Sequence, residues 1–212
     1  MNLVNYLSNI YGYGTPIFLK DVRIGRKSKS AIREEFYRAV QKGDIVRESA
    51  GIYSLIEKNK EFPDIVTFEK IIEKKYIYSD DVTPGFEPLF IEGYYSGLTF
   101  VNQIGISQQV PAILEITTNK TSSKKRYYSA IDRLAIVRKA RTTVTKENYK
   151  MLQFLDMFHF VVMYEVIENR ELLRRYIVKN ALSKHQFEQY IGLYGTQTLK
   201  KIVEGGLIDA FI

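Results

Sequence analysis

Residues 29–55 read KSAIREEFYRAVQKGDIVRESAGIYSL, and the fold of the first part of the chain is organised around this stretch. Its first half has the spacing of an amphipathic helix, because apolar Ile32 and Phe36 lie one turn apart and share a face. The hydroxyl of Ser30 can accept a hydrogen bond from a first-turn amide, so Ser30 is the predicted N-cap. Gly43 is the predicted end of the helix.

A β-hairpin is predicted directly after this helix. Residues 44–47 and 51–55 are two β-type runs with a small polar tip between them. Upstream, apolar spacing predicts a first helix over residues 2–11, and residues 15–22 can supply a short strand and a brief second helix. A winged helix-turn-helix DNA-binding domain has this order of elements within about 55 residues: helix, strand, helix, turn, helix and hairpin.

Composition restricts the classes of protein to which the chain can belong. A length of 212 residues with 45% hydrophobic residues is enough for one large or two small packed domains. The absence of cysteine excludes disulfides, thiolate nucleophiles and cysteine-based zinc sites. The sequence shows neither a signal peptide nor a membrane-spanning run, so we expect a cytoplasmic protein that makes no membrane contact.

The basic charge indicates a polyanionic partner. The net charge is +7, and two segments concentrate it. Residues 20–47 contain nine basic and four acidic residues, and residues 120–150 contain ten basic and two acidic residues. An ordinary solvated surface is the alternative interpretation for either segment.

A domain boundary is predicted where the sequence becomes charged and ends in proline, in EKNKEFP at residues 57–63. We therefore expect a winged helix-turn-helix domain over residues 1–57, a linker at residues 58–63 and a second domain over residues 64–212. The second domain is predicted to mix a small sheet with a helical C-terminal end, which makes the whole chain α+β.

The predicted elements of the second domain follow from local patterns. Helices are expected at residues 64–75 and 98–104, a strand at residues 112–118, and one or two further strands within residues 127–139. A helix opening at residue 145 or 146 begins the last third of the chain. Further helices are expected over residues 169–178, 183–194 and 196–204, while residues 160–167 fit either a strand or a buried helix.

The predicted DNA-contacting residues lie on and around the helix of residues 29–41. Arginine pairs bidentately with guanine and glutamine with adenine, while other basic side chains hold phosphates and set the register. Glu34 is ambiguous, since it can accept from a cytosine or simply favour the helix N-terminus. The full candidate set is Arg26, Lys27, Lys29, Ser30, Arg33, Tyr37, Arg38, Gln41 and Arg47.

A second candidate surface for DNA or a protein partner lies in the basic segment of residues 120–150. Its members are Lys124, Lys125, Arg126, Arg138, Lys139 and Arg141.

No catalytic constellation is evident in the sequence. His159 and His185 lack the spacing of metal ligands, and no glycine-rich phosphate-binding motif is present. Asp64 and Glu115 allow a metal-dependent nuclease interpretation. Such sites carry a lysine two residues after the glutamate, however, and position 117 is threonine. We therefore expect no enzyme activity, no metal and no cofactor.

Two sequence blocks taken together resemble the AbiEi family, antitoxins of type IV toxin–antitoxin systems linked to abortive phage infection. The first block is GTPIFLKDV at residues 14–22 through GIY at residues 51–53. The second is GYYSGLTFVNQIG at residues 93–105, running on to QVP at 109–111 and EITTN at 115–119. The resemblance covers roughly residues 1–140.

The resemblance implies a function for each domain. The winged helix would repress the operon by binding double-stranded operator DNA, with inverted repeats expected. The second domain would neutralise a nucleotidyltransferase-like toxin encoded next door, with or without direct contact. A stand-alone winged-helix regulator, whose second domain senses a ligand or forms a dimer, is the alternative.

Overall fold

The computed structural model describes residues 2–58, 60–78 and 90–211, and it mixes helices with two small sheets. The predicted α+β class is confirmed. The helices are α1 (Leu3–Tyr11), α2 (Lys29–Gln41), α3 (Phe68–Ile72), α4 (Gly97–Gln103), α5 (Tyr149–Met157), α6 (Met163–Glu168), α7 (Arg170–Lys179), α8 (Lys184–Tyr190) and α9 (Thr196–Glu204). The strands are β1 (Ile17–Phe18), β2 (Ile45–Ser49), β3 (Ile52–Leu55), β4 (Gly93–Tyr95), β5 (Leu114–Thr118), β6 (Arg126–Ala130) and β7 (Arg133–Lys139).

Contacts divide the chain into two compact units. Unit 1 contains Met1–Leu89 together with Ser129–Arg133, and unit 2 contains Phe90–Tyr128 and Leu134–Ile212. Residues 64–78, which the sequence-based division assigns to the second domain, thus pack with unit 1. This division describes packing, and the functional boundary at residues 58–63 stays a prediction.

The sheet of unit 1 is antiparallel, with β3 between β1 and β2. Ile17 lies opposite Tyr53, and Ile45 lies opposite Leu55. The predicted polar tip at residues 48–50 is wrong, because β2 continues to Ser49 through a register shift after Arg47. The bulge lets the strand keep its pairing while accommodating one extra residue.

Helix α2 begins two residues earlier than a cap at Ser30 would allow. Its N-cap is Ser28, whose hydroxyl accepts a hydrogen bond from the Ala31 amide at 3.2 Å. Ser30 lies instead in the first turn, with its hydroxyl 2.9 Å from that of Ser28. The predicted stop is confirmed, since Gly43 adopts a φ of +67° directly after the helix.

The core of unit 1 sits between these helices and the sheet. Leu7, Ile17, Phe36 and Leu55 belong to one buried cluster. Phe36 is 0% exposed and meets the ring of Tyr53 edge-on at 4.9 Å. This packing fixes one face of α2 against the sheet, so its opposite face points outward.

The helix predicted over residues 64–75 is shorter at its start and changes type at its end. Thr67 caps α3 by accepting from the Lys70 amide, so residues 64–67 stay outside the helix. The chain then continues as a π-helical turn, Glu73–Ile77. The Lys70 and Lys74 ammonium groups donate to backbone carbonyls of residues 14 and 16 at 2.8 Å, which holds this segment on unit 1.

The sheet of unit 2 has the order β4-β5-β7-β6, with β4 antiparallel and β7 parallel to β5. Strand β4 was not predicted, because three residues carry too little periodicity to recognise. Residues 163–168 are helical, where the sequence left strand and helix open. The helix expected from residue 145 begins at Tyr149. No helix in the described ranges is long and apolar enough to cross a membrane.

Candidate nucleic-acid interface

One line of side chains runs along the outward face of α2. Lys29, Arg33, Tyr37 and Gln41 follow one another at four-residue spacing, and all four are exposed. Tyr37 is 61% exposed although it adjoins the fully buried Phe36. The face therefore offers two cations, an aromatic ring and an amide to a partner, which are groups that read and hold nucleic acid.

The acidic residues of α2 are matched with cations beside this line. Glu34 forms an ion pair with Arg38 at 3.0 Å, and Glu35 pairs with Lys27. Arg33, in contrast, makes no ion pair with any residue that the structure describes. Arg33 is therefore the arginine of α2 whose guanidinium is available to a partner without breaking an existing pair.

A pocket of about 340 Å³ lies between the start of α2, strand β1 and the tip of the β2–β3 hairpin. Its walls include apolar Phe18, Ile32 and Ile52, and no acidic residue is among its described lining. The cations that line it are Lys20, Lys29, Arg33 and Lys75. Positive charge around a concave surface at a helix start is suited to a phosphate group.

Sequence reasoning missed Lys20 and Lys75 as members of this site. Lys20 belongs to the basic segment, and its ammonium lies 5.9 Å from the centre of the Phe18 ring. Lys75 comes from the π-helical turn and lies 6.0 Å from the same ring centre. The charge count could have indicated Lys20, whereas nothing local in the sequence indicates Lys75, because only the packing of α3 brings it there.

The remaining predicted residues are not all gathered at the pocket. Lys27 and Arg38 line a different depression together with Glu35 and Asp44, so their charge is partly neutralised. The exposed Arg26 precedes α2, Ser30 lies in its first turn, and the exposed Arg47 lies on β2.

The second predicted surface lies in unit 2 and separates into two groups. Lys124, Lys125, Arg126 and Lys139 are exposed, and they meet at one end of β6 and β7, where the Lys139 amide donates to the Ser123 carbonyl. The other two arginines have partners inside the unit. Arg138 pairs with Glu115, and Arg141 contacts the His159 ring at 2.6 Å and the Leu193 carbonyl at 3.1 Å.

The polar centre of unit 2 is built around a buried carboxyl group. The Thr117 hydroxyl donates to Asp156 at 3.3 Å, and the Arg141 guanidinium lies 3.8 Å away. Burial raises the pKa of Asp156, although Arg141 opposes this effect. Burial also raises the pKa of the Tyr94 hydroxyl, which lies beside this group.

The His159 ring lies between Arg141 and Thr198 in the same unit. An arginine can only donate, so the nitrogen facing Arg141 must accept, and the other ring nitrogen lies 3.3 Å from the Thr198 hydroxyl. Burial lowers the pKa of His159, and the charges of Arg141 and Lys201 lower it further. His185 is an exposed residue of α8.

The two carboxylates of the nuclease interpretation each have a cationic partner. Asp64 pairs with Lys60 at 3.0 Å, and Glu115 pairs with Arg138 while accepting from the Leu98 amide. Within the described ranges, no group of three histidine, aspartate or glutamate side chains is placed to hold a metal ion.

The outward face of α2 and the neighbouring pocket are the strongest candidate site in unit 1, since they unite exposed cations, a concave surface and groups able to read bases.

Comparison of the chain with models of known protein families, with curated protein sequences and with solved structures finds no match in any of the three.

Proposed function

We propose that unit 1 is a winged helix-turn-helix that binds double-stranded DNA, with α2 as the recognition helix and the β2–β3 hairpin as the wing. The observation that carries this proposal is the exposed line from Lys29 to Gln41 beside a pocket lined by four cations. The helix is 13 residues long, sufficient to lie across a major groove.

The side chains of this face have distinct proposed roles. Arg33 and Gln41 read base edges, because their guanidinium and amide groups match guanine and adenine. Lys29, together with Lys20 and Lys75, holds phosphate in the pocket and supplies salt-dependent affinity. Arg38 can contact DNA only after its ion pair with Glu34 is broken.

The test measures binding to a duplex taken from upstream of the gene and to a shuffled duplex of equal length. Arg33→Ala is expected to weaken binding to the upstream duplex by about 1–3 kcal/mol and the shuffled duplex much less. Lys184→Ala is the matched control, since it removes one exposed cation from α8 in unit 2. Equal losses on both duplexes for Arg33→Ala would overturn the base-reading role.

We further propose that the protein is an antitoxin and autorepressor of a type IV toxin–antitoxin system, opposing a nucleotidyltransferase-like toxin. This proposal rests on the two blocks that resemble AbiEi proteins, at residues 14–53 and 93–119. The second block supplies β4, α4 and β5, so the resemblance reaches both compact units. We expect the operator DNA to contain inverted repeats, because a protein that binds DNA as a symmetric pair contacts two matching half-sites.

Antitoxin activity can be separated from DNA binding. The double variant Arg33→Ala, Gln41→Ala should lose operator binding yet still rescue growth when the neighbouring toxin is expressed from an independent promoter. If the unsubstituted protein fails to rescue growth, the antitoxin proposal is wrong. A stand-alone regulator, whose second unit senses a ligand, then becomes the better description.

A further inference from the structure

A second pocket, of about 480 Å³, lies within unit 2 between α4, α5 and α7. Three cations line it, and no acidic residue is among its described lining. Ile104, Leu172 and Tyr176 give it an apolar wall, and the amides of Gln103 and Asn180 add hydrogen-bonding groups. The cations are Lys150 of α5 and Arg175 and Lys179 of α7.

No residue in the described part of the chain neutralises these three cations. Arg175 and Lys179 lie one helical turn apart, where like charges repel. None of the three makes an ion pair with a residue that the structure describes, and this includes Glu171, one turn before Arg175. Lys184 and Lys200 of unit 2, in contrast, pair with Glu188 and Glu204 in the i,i+4 arrangement that Glu171 and Arg175 do not use.

Lys150 is the most constrained of the three. Its side chain is half-buried and lies 4.9 Å from the centre of the Tyr149 ring. Burial lowers the pKa of its ammonium group, and the charge of Lys179 lowers it further. A bound anion would offset both costs, since it would supply the missing countercharge where water is partly excluded.

We propose that this pocket binds a small phosphate-bearing molecule of the nucleotide class. The three cations and two amides that line this pocket match the several oxygens and multiple negative charges of a diphosphate. The volume exceeds what phosphate groups alone fill and lies in the range of small-molecule sites. The apolar wall is suited to the organic part of the ligand.

The proposal is independent of DNA binding by unit 1, and it is tested on the full chain by calorimetric titration with ADP and with inorganic pyrophosphate. Arg175→Ala and Lys179→Ala are each expected to weaken ADP binding by about tenfold or more, the loss of one charge-assisted contact. Lys184→Ala should leave ADP affinity unchanged. Tighter binding of ADP than of pyrophosphate supports an organic part on the apolar wall, whereas equal affinities would show that the site recognises phosphate groups alone and is not a nucleotide site.

Protection of the unsubstituted protein supplies a second measurement that does not depend on how variants fold. ADP should slow acylation of Lys150 and Lys179, measured by peptide mass spectrometry, and leave Lys184 unaffected. Three results overturn the proposal. These are the absence of binding by either probe at millimolar concentration, equal affinities for ADP and pyrophosphate, and loss of ADP binding with Lys29→Ala instead.

Discussion

Gly97→Ala should disrupt the junction between α4 and β5 in unit 2. Gly97 has a φ of +58°, and a Cβ added there would lie 2.6 Å from both carboxylate oxygens of Glu115. Glu115 is 7% exposed and cannot move away freely. Its carboxylate pairs with Arg138 and accepts from the Leu98 amide, while its own amide donates to the Thr99 hydroxyl at 2.9 Å.

The loss of unfolding free energy expected for Gly97→Ala is the sum of two costs. A left-handed conformation costs an alanine about 1–2 kcal/mol. Displacing the Glu115 carboxylate loses hydrogen bonds to a charged group, each worth about 1.5–3 kcal/mol. Gly97→Ala should therefore lower the free energy of unfolding by about 3–5 kcal/mol. In a Glu115→Ala background the clash is absent, so the same change should cost only the conformational part.

The assay is urea unfolding of the four proteins in this cycle, followed by tyrosine fluorescence and far-ultraviolet circular dichroism. Gly192→Ala is the control, because a Cβ there meets no atom within 4 Å and its φ is not positive. It should change stability by less than about 0.5 kcal/mol. Costs of Gly97→Ala that are equal in both backgrounds, within about 0.5 kcal/mol, would refute the steric argument.

Three further predictions concern the cores and charges. Phe36→Ala should lower the stability of unit 1 by about 3–5 kcal/mol in urea unfolding, whereas Tyr37→Ala on the exposed side should change it by less than about 0.5 kcal/mol. If the exposed lysines just before β6 contact phosphate, removing both Lys124 and Lys125 should reduce the log–log salt slope of DNA binding by nearly two, and an unchanged slope would exclude that contact. Because the folded protein lowers the pKa of His159, its contribution to stability is present above about pH 6.5 and declines as the pH falls through the folded pKa. His159→Gln should remove that decline from pH-dependent unfolding curves.

Local sequence patterns determined several elements of this protein. The bounds of α9 match the prediction, because apolar spacing and a terminal glycine act within one or two helical turns, whereas α2 begins two residues earlier than a cap at Ser30 would allow. The outward line from Lys29 to Gln41 was likewise predictable, since the buried positions Ile32 and Phe36 define the opposite face. The DNA-reading role assigned to that line stays a prediction.

Structural features for which the sequence offers several local alternatives were harder to predict from the sequence. Both Ser28 and Ser30 can cap a helix, and the sequence alone does not say which backbone conformation the turn before α2 adopts. The bulge after Arg47 depends on the register in which β2 pairs with β3, and the three-residue strand β4 is stabilised by pairing with β5, where Gly93 lies opposite Thr118. Such pairing leaves little trace in the local sequence pattern.

Only the tertiary structure assembled the two charged pockets. Lys75 reaches the pocket beside Phe18 because the packing of α3 and its π-helical turn places it there. Lys150 meets Lys179 because α5 and α7 both line the second pocket. The sequence by itself determined the segments and their charge, since these depend on neighbouring residues. The partners of each charge were decided by contacts between residues far apart in the chain, which no local pattern encodes.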